Sequence, residues 1–80
     1  MPTVHFSSDL LAYTGGLETI VVEASRVVEL KQSLIGRFPP LTEQLGRLAV
    51  AIDGEIYNDA DYHPLDPDSE IYFVPRIAGG

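Results

Sequence analysis

The 80-residue sequence predicts an α+β domain of two layers, a mixed sheet of four to five strands with one main helix on one face. Three observations carry that class. Apolar residues alternate with polar ones near both ends of the chain, as in half-buried strands. One long stretch, Val27 to Phe38, repeats apolar residues at helical spacing. Two turn signals, Gly15-Gly16 and Asp53-Gly54, stand where neighbouring strands would have to reverse.

Val4 and Phe6 alternate with His5 and Ser7 and read as a first strand. Tyr13-Thr14-Gly15-Gly16 supplies a reversal, and Leu17 to Ala24 reads as the second strand of a hairpin, with Ile20, Val22 and Ala24 on one face. Val27, Leu30, Leu34 and Phe38 share one face of the following helix, with Ser25 as its expected cap. The helix stops at Phe38-Pro39-Pro40, because proline disfavours the helical region for its predecessor and has no amide to donate. Thr42 to Leu45 has room for one helical turn before Gly46. Leu48, Val50 and Ile52 then alternate into Asp53-Gly54, and Glu55-Ile56-Tyr57 pairs back. After a polar loop, Leu65 reads as a core plug, and Glu70 to Val74 as the last strand, with Ile71 and Phe73 inward and Tyr72 and Val74 outward. For so short a chain, compactness places the first and last strands side by side at the centre. That is the β-grasp arrangement of ubiquitin-like proteins.

Composition removes several function classes. The net charge is −7 and Lys31 is the only lysine, so a nucleic-acid partner is not expected; an acidic surface favours a protein partner with a basic docking face. No apolar run approaches the ~20 residues of a membrane span, and the start of the chain does not read as a signal peptide. The absence of cysteine removes disulfides, thiolate nucleophiles and zinc knuckles, which fits a reducing, cytoplasmic setting. Seven of the twelve acids lie between Asp53 and Glu70, but a calcium loop needs a central glycine and a bidentate glutamate at fixed spacing, and neither is present. No bound metal or cofactor is expected. Neither His5 nor His63 has a nucleophile or metal-ligand partner at helical or hairpin spacing, so both read as structural or surface residues, and the chain shows no catalytic constellation of its own.

The segments AVAIDGEI (49–56) and YHPLDPDSEIYFVPRIAGG (62–80) change the reading. A short hairpin at Asp53-Gly54-Glu55, the His63-Pro64-Leu65 turn, an acidic turn over Asp66 to Glu70, an apolar strand, Pro75 and a closing Gly79-Gly80 together resemble the MoaD/ThiS family of sulfur carriers, which includes the small subunit of molybdopterin synthase. The first half of the chain matches in pattern and length only. Two features depart from the family pattern: the acidic turn lacks the glycine common there, and Val74-Pro75-Arg76-Ile77 lacks the paired prolines of molybdopterin synthase small subunits.

The resemblance implies that an activating enzyme adenylates the Gly80 carboxylate with ATP, that a sulfurtransferase step converts it to a thiocarboxylate, and that a partner such as the catalytic large subunit of a synthase draws on the sulfur. The chain would be a cosubstrate, with molybdopterin formation the leading pathway, since the length fits that branch better than the shorter thiamine carriers. Residue chemistry agrees with these roles. Gly79 and Gly80 leave the reacting carbon unhindered. Pro75 weakens the ladder and begins a flexible tail, 75–80. Ile77 and Ala78 are small enough to enter a narrow channel, Arg76 offers a charge to a partner acid, and Tyr72 and Val74 offer a docking patch. Other readings stay open: a carrier for thiamine, cysteine or a secondary metabolite, a ubiquitin-like modifier attached through Gly80, or a plain interaction domain.

Overall fold

The structure is a computed structural model and describes residues 1–76. Five strands form one sheet: β1 (Thr3–His5), β2 (Thr19–Val21), β3 (Leu48–Ile52), β4 (Glu55–Tyr57) and β5 (Glu70–Pro75), in the order β2-β1-β5-β3-β4. The first and last strands lie together at the centre as expected, parallel to each other, while every other neighbouring pair is antiparallel. Helix α1 (Val27–Arg37) covers one face. Its Val27, Leu30 and Leu34 are fully buried against Val4, Phe6, Ile20, Val50, Ile52, Ile71 and Phe73, the inward residues of the sheet. Phe38, at the end of α1, meets Phe6 edge-on with ring centroids 6.3 Å apart.

Four local expectations need correction or extension. Between β1 and β2 the chain does not turn directly; Ser8–Tyr13 forms a 3-10 helix that buries Leu10. Gly15 and Gly16, at φ 67° and 89°, end that helix, and Gly16 N–H donates to the Leu11 carbonyl. The second strand is accordingly shorter than the apolar run Leu17 to Ala24, because β1 offers only three residues to pair with, although Phe6 N–H to Glu18 and Val22 N–H to Pro2 extend the ladder at either end. The helical turn expected at Thr42 to Leu45 is present and longer, as a second helix, α2 (Leu41–Arg47), held by burial of Leu41 and Leu45. The last strand runs one residue further than Val74, to Pro75 opposite Leu48. Beyond Tyr72 no β1 residue flanks β5, and an edge-like position tolerates a residue without an amide proton.

The fourth expectation concerns the cap of α1. Arg26 occupies the cap position and makes no side-chain cap bond. The amides of Val27 and Val28 donate instead to the carbonyls of His63 and Asp61, at 3.2 and 2.8 Å, so the His-Pro-Leu loop caps the helix from across the chain. Leu65 is buried beneath it and donates its amide to the Ser25 carbonyl, as a core plug should. Ser25 serves Glu29: its amide and hydroxyl donate to Glu29 Oε1 at 2.9 and 2.8 Å. The Ser25 backbone bond, followed by the Ser25 hydroxyl, lowers the Glu29 pKa below its ordinary value. Because folding lowers this pKa, the contribution of Glu29 to stability is present above the unfolded-state pKa and is lost as pH falls through the folded value. Ser25→Ala keeps the backbone donor, so the Glu29 carboxyl titration followed by NMR should move part of the way back up. An unchanged midpoint would show that the hydroxyl contributes nothing.

The two turns flanking β5's partners are built differently. Asp53 and Gly54 both have positive φ, 50° and 90°, the signature of the tight hairpin turn that matches strand twist. The acidic turn has no residue with positive φ, which explains why it dispenses with glycine. It is closed by Ser69 N–H to the Asp66 carbonyl and by Asp66 N–H to the buried Ser69 hydroxyl, both at 3.0 Å.

Candidate docking face and tail root

β5 connects the core to the end of the described chain, so its alternation decides what a partner would meet. Ile71 and Phe73 point into the core, while Tyr72 is 45% exposed and Val74 half-buried on the opposite face, as the pattern predicts. Register places Tyr72 between His5 of β1 and Ala51 of β3, and Val74 beside Ala49. Ala51 is flanked in turn by Ile56 of β4, also 45% exposed. Small residues at 49 and 51 keep the centre of this face low, so the rings and branched chains around them stand out. On the side of the sheet away from α1, exposed Ile56 and Tyr72 and half-buried Val74 therefore form an apolar strip over Ala51 and Ala49, which are themselves buried.

Sequence reasoning located Tyr72 and Val74 but missed what surrounds them. His5 stacks on Tyr72 with ring centroids 4.5 Å apart and planes 10° from parallel, and His5 Nε2 lies 2.7 Å from Glu70 Oε1. The residues are more than sixty positions apart, so no local spacing could announce the group; only the parallel pairing of β1 with β5 assembles it. His63, the other histidine, packs against Tyr57 at 4.5 Å in the loop that caps α1. Tyr57 donates its hydroxyl to Glu55 Oε2 at 2.7 Å, and that bond raises the phenol pKa. No group of three or more histidines, cysteines or carboxylates among the described residues could hold a metal ion.

At the tail root, Arg76 turns back to its own chain. Its guanidinium approaches the Gly46 carbonyl at 3.5 Å and Asp59 Oδ1 at 3.8 Å, both long contacts at a solvent-exposed site. Pro75 is the last strand residue, and Arg76 is the last described one. Ile77, Ala78, Gly79 and Gly80, the residues assigned the reach and the chemistry, lie outside the described residues. No described helix is long and apolar enough to cross a membrane.

Comparison with known proteins adds to this geometry. A model of the ThiS family matches residues 4–80. No curated protein sequence matches the chain. Among solved structures, a chain of the BexX/CysO complex of Amycolatopsis orientalis superposes with a TM-score of 0.84 at 18% identity, covering 100% of both chains. Small archaeal modifier protein 1 of Methanosarcina acetivorans superposes with a TM-score of 0.81 at 18% identity, over 99% of this chain and 95% of that one. A chain of the complex of subunits 1 and 2 of the molybdopterin-converting factor of Helicobacter pylori gives 0.69 at 24% identity, over 99% and 97%. At these identities the likeness is one of fold, and the fold is the β-grasp.

Proposed function

The chain belongs to the ThiS family, and on that premise we propose that it is a sulfur carrier whose Gly80 carboxylate is activated and converted to a thiocarboxylate. The observation that carries the reading is the extent of the family match, which runs through the Gly79-Gly80 end. The sheet supports it: β5 leads from a fixed core to the tail root and presents an apolar strip on the same strand.

The chemistry follows from the weakness of a carboxylate as an electrophile. A carboxylate oxygen of Gly80 attacks the α-phosphorus of ATP on an adenylating enzyme, and pyrophosphate leaves. A hydrosulfide-level sulfur donor then attacks the acyl carbon, AMP leaves with the original oxygen, and a thiocarboxylate remains. Its sulfur is the stronger nucleophile and passes to the product on a second partner, a sulfurtransferase or the large subunit of a synthase. This chain contributes no catalytic group to these steps. It supplies an unhindered acyl carbon at Gly80 and a surface by which each enzyme recognises it.

For the pathway, we infer molybdopterin formation, on the resemblance of the second half of the chain to the family that includes that branch and the likeness to a chain of the Helicobacter pylori factor. A second reading, a carrier for another sulfur-containing product, is favoured by the TM-score of 0.84 with a chain of the BexX/CysO complex. Attachment to other proteins as a modifier is a third use of the same activated carboxylate.

The adenylation step is directly measurable. With the adenylating enzyme of the same genome, ATP–pyrophosphate exchange should depend on this chain. Tyr72→Asp, which sets a charge in the apolar strip without touching the core, should lower kcat/KM for the carrier by about 30-fold or more, as for a central interface anchor. No exchange with that enzyme would remove the carrier reading. Exchange unaffected by Tyr72→Asp would place docking elsewhere.

A further inference from the structure

We propose that His5 and Glu70 are positioning residues that hold the Tyr72 ring in the orientation in which a protein partner meets it. The proposal rests on the reading of the outer sheet face as the docking surface of a carrier.

An exposed tyrosine on a sheet has several staggered rotamers within reach, and freezing one of them during docking weakens association. Tyr72 is exposed enough for that to matter. Its ring is nevertheless held. His5, its direct neighbour across the parallel β1–β5 pair, lies flat against it at 4.5 Å and 10°. The imidazole would be free to rotate in turn, but Nε2 meets Glu70 Oε1 at 2.7 Å, and a carboxylate acceptor requires that nitrogen to carry the proton. Glu70 is fixed at its backbone. Its amide donates to Asp53 Oδ1 at 2.9 Å, and its carbonyl accepts from the Asp53 amide at 3.0 Å, so the tight hairpin turn anchors the base of the arrangement. The order of support is therefore Asp53, Glu70, His5, Tyr72.

The surrounding face shows why this group stands apart. The outward positions of the five strands are Thr3, His5, Thr19, Val21, Ala49, Ala51, Ile56, Glu70, Tyr72 and Val74. Glu70 is the single carboxylate among them, and there is no lysine or arginine. Its carboxylate is hydrogen-bonded by His5, and the other outward strand positions carry no charged side chain. The occupant that fits is an apolar, flat protein surface laid over Tyr72 and Val74, on the strand that continues into the tail root. We assign it to the adenylating enzyme, which must hold the carrier while the tail reacts.

Two measurements separate the positioning claim from the docking reading. In the free chain, the Tyr72 ring resonances should carry the shift of a stacked ring. They should move toward exposed-tyrosine values in His5→Ala and in Glu70→Ala, while Glu70→Gln, which keeps an acceptor, should retain the stacked shift. Unmoved resonances in His5→Ala would overturn the proposal with no partner involved. With the adenylating enzyme, His5→Ala should raise the KM for the carrier about two- to ten-fold, the range of one aromatic pair, with kcat unchanged. Placed on Tyr72→Ala, His5→Ala should cost nothing more, and a fully additive loss would overturn the coupling. An unchanged KM for Tyr72→Ala alone would remove the docking reading, and with it the purpose assigned to the pair, while the ring geometry seen by NMR stood.

Discussion

Removing Gly80 should abolish sulfur loading and leave the domain as stable as the full chain. Every buried apolar residue described lies at or before Phe73, and the last paired strand residue is Pro75, so deleting residue 80 takes no described contact from the core. The chemistry, by contrast, has a single acyl carbon to act on, and the shortened chain offers Gly79 one residue too early for a channel matched to the full tail. Thermal unfolding and thiocarboxylate analysis of the same preparation separate the two effects. A fall in Tm of more than about 4 °C, close to 1 kcal/mol for a domain of this size, would show the end of the chain to be structural. Undiminished loading of the shortened chain would show that Gly80 is not the acceptor.

The second large effect is expected at Leu34. Its side chain is fully buried on α1 between the helix and the sheet, beside Leu30 and Val27, where a cavity could not be filled by solvent. Leu34→Ala should cost about 3–5 kcal/mol through lost transfer energy and the void left behind. A domain of eighty residues has total stability of about 4–12 kcal/mol, so this one change removes a large share of it. Urea unfolding should show a much lower midpoint with an unchanged slope. A loss below about 1 kcal/mol would mean that the helix does not pack on the sheet as described. Because the docking strip lies on the other face, whatever Leu34→Ala remains folded should still bind its partner with near-normal KM.

The parts of this fold that were legible in the sequence are those whose signals are local. Alternation in β3 and β5, the Asp53-Gly54 turn and the helical spacing of Val27, Leu30 and Leu34 depend only on near neighbours, and each stands where it was expected. Leu65 was readable because an isolated apolar residue in a polar loop has few places to go. What escaped is non-local or carried by weak signals. Ser25 has the chemistry of a cap, but the carbonyls of Asp61 and His63 reach the helix start first, and nothing near Ser25 forecasts a loop more than thirty residues away. The 3-10 helix at Ser8–Tyr13 has only Leu10 buried and no repeating pattern. Pro75 remained in register because β1 stops short of it, which depends on the length of another strand.

The docking face divides in the same way. Tyr72 and Val74 followed from alternation in one strand, whereas Ala49, Ala51 and Ile56 joined them through register across β3 and β4. His5 and Glu70 entered only through the parallel pairing of the two central strands, the least local contact in the sheet. The chemistry assigned to Gly79 and Gly80 rests on family membership, because those residues lie outside the described part of the chain.

Intact mass spectrometry tests the central claim most directly. The chain is incubated with ATP, the adenylating enzyme of the same genome and a sulfur donor, and its mass is compared with that of the same mixture lacking ATP. The account predicts an ATP-dependent gain equal to exchanging one oxygen for one sulfur, confined to a C-terminal peptide containing Gly80 and absent when Gly80 is deleted. An unchanged mass under conditions in which the enzyme adenylates the chain would contradict it, as would a gain located anywhere else.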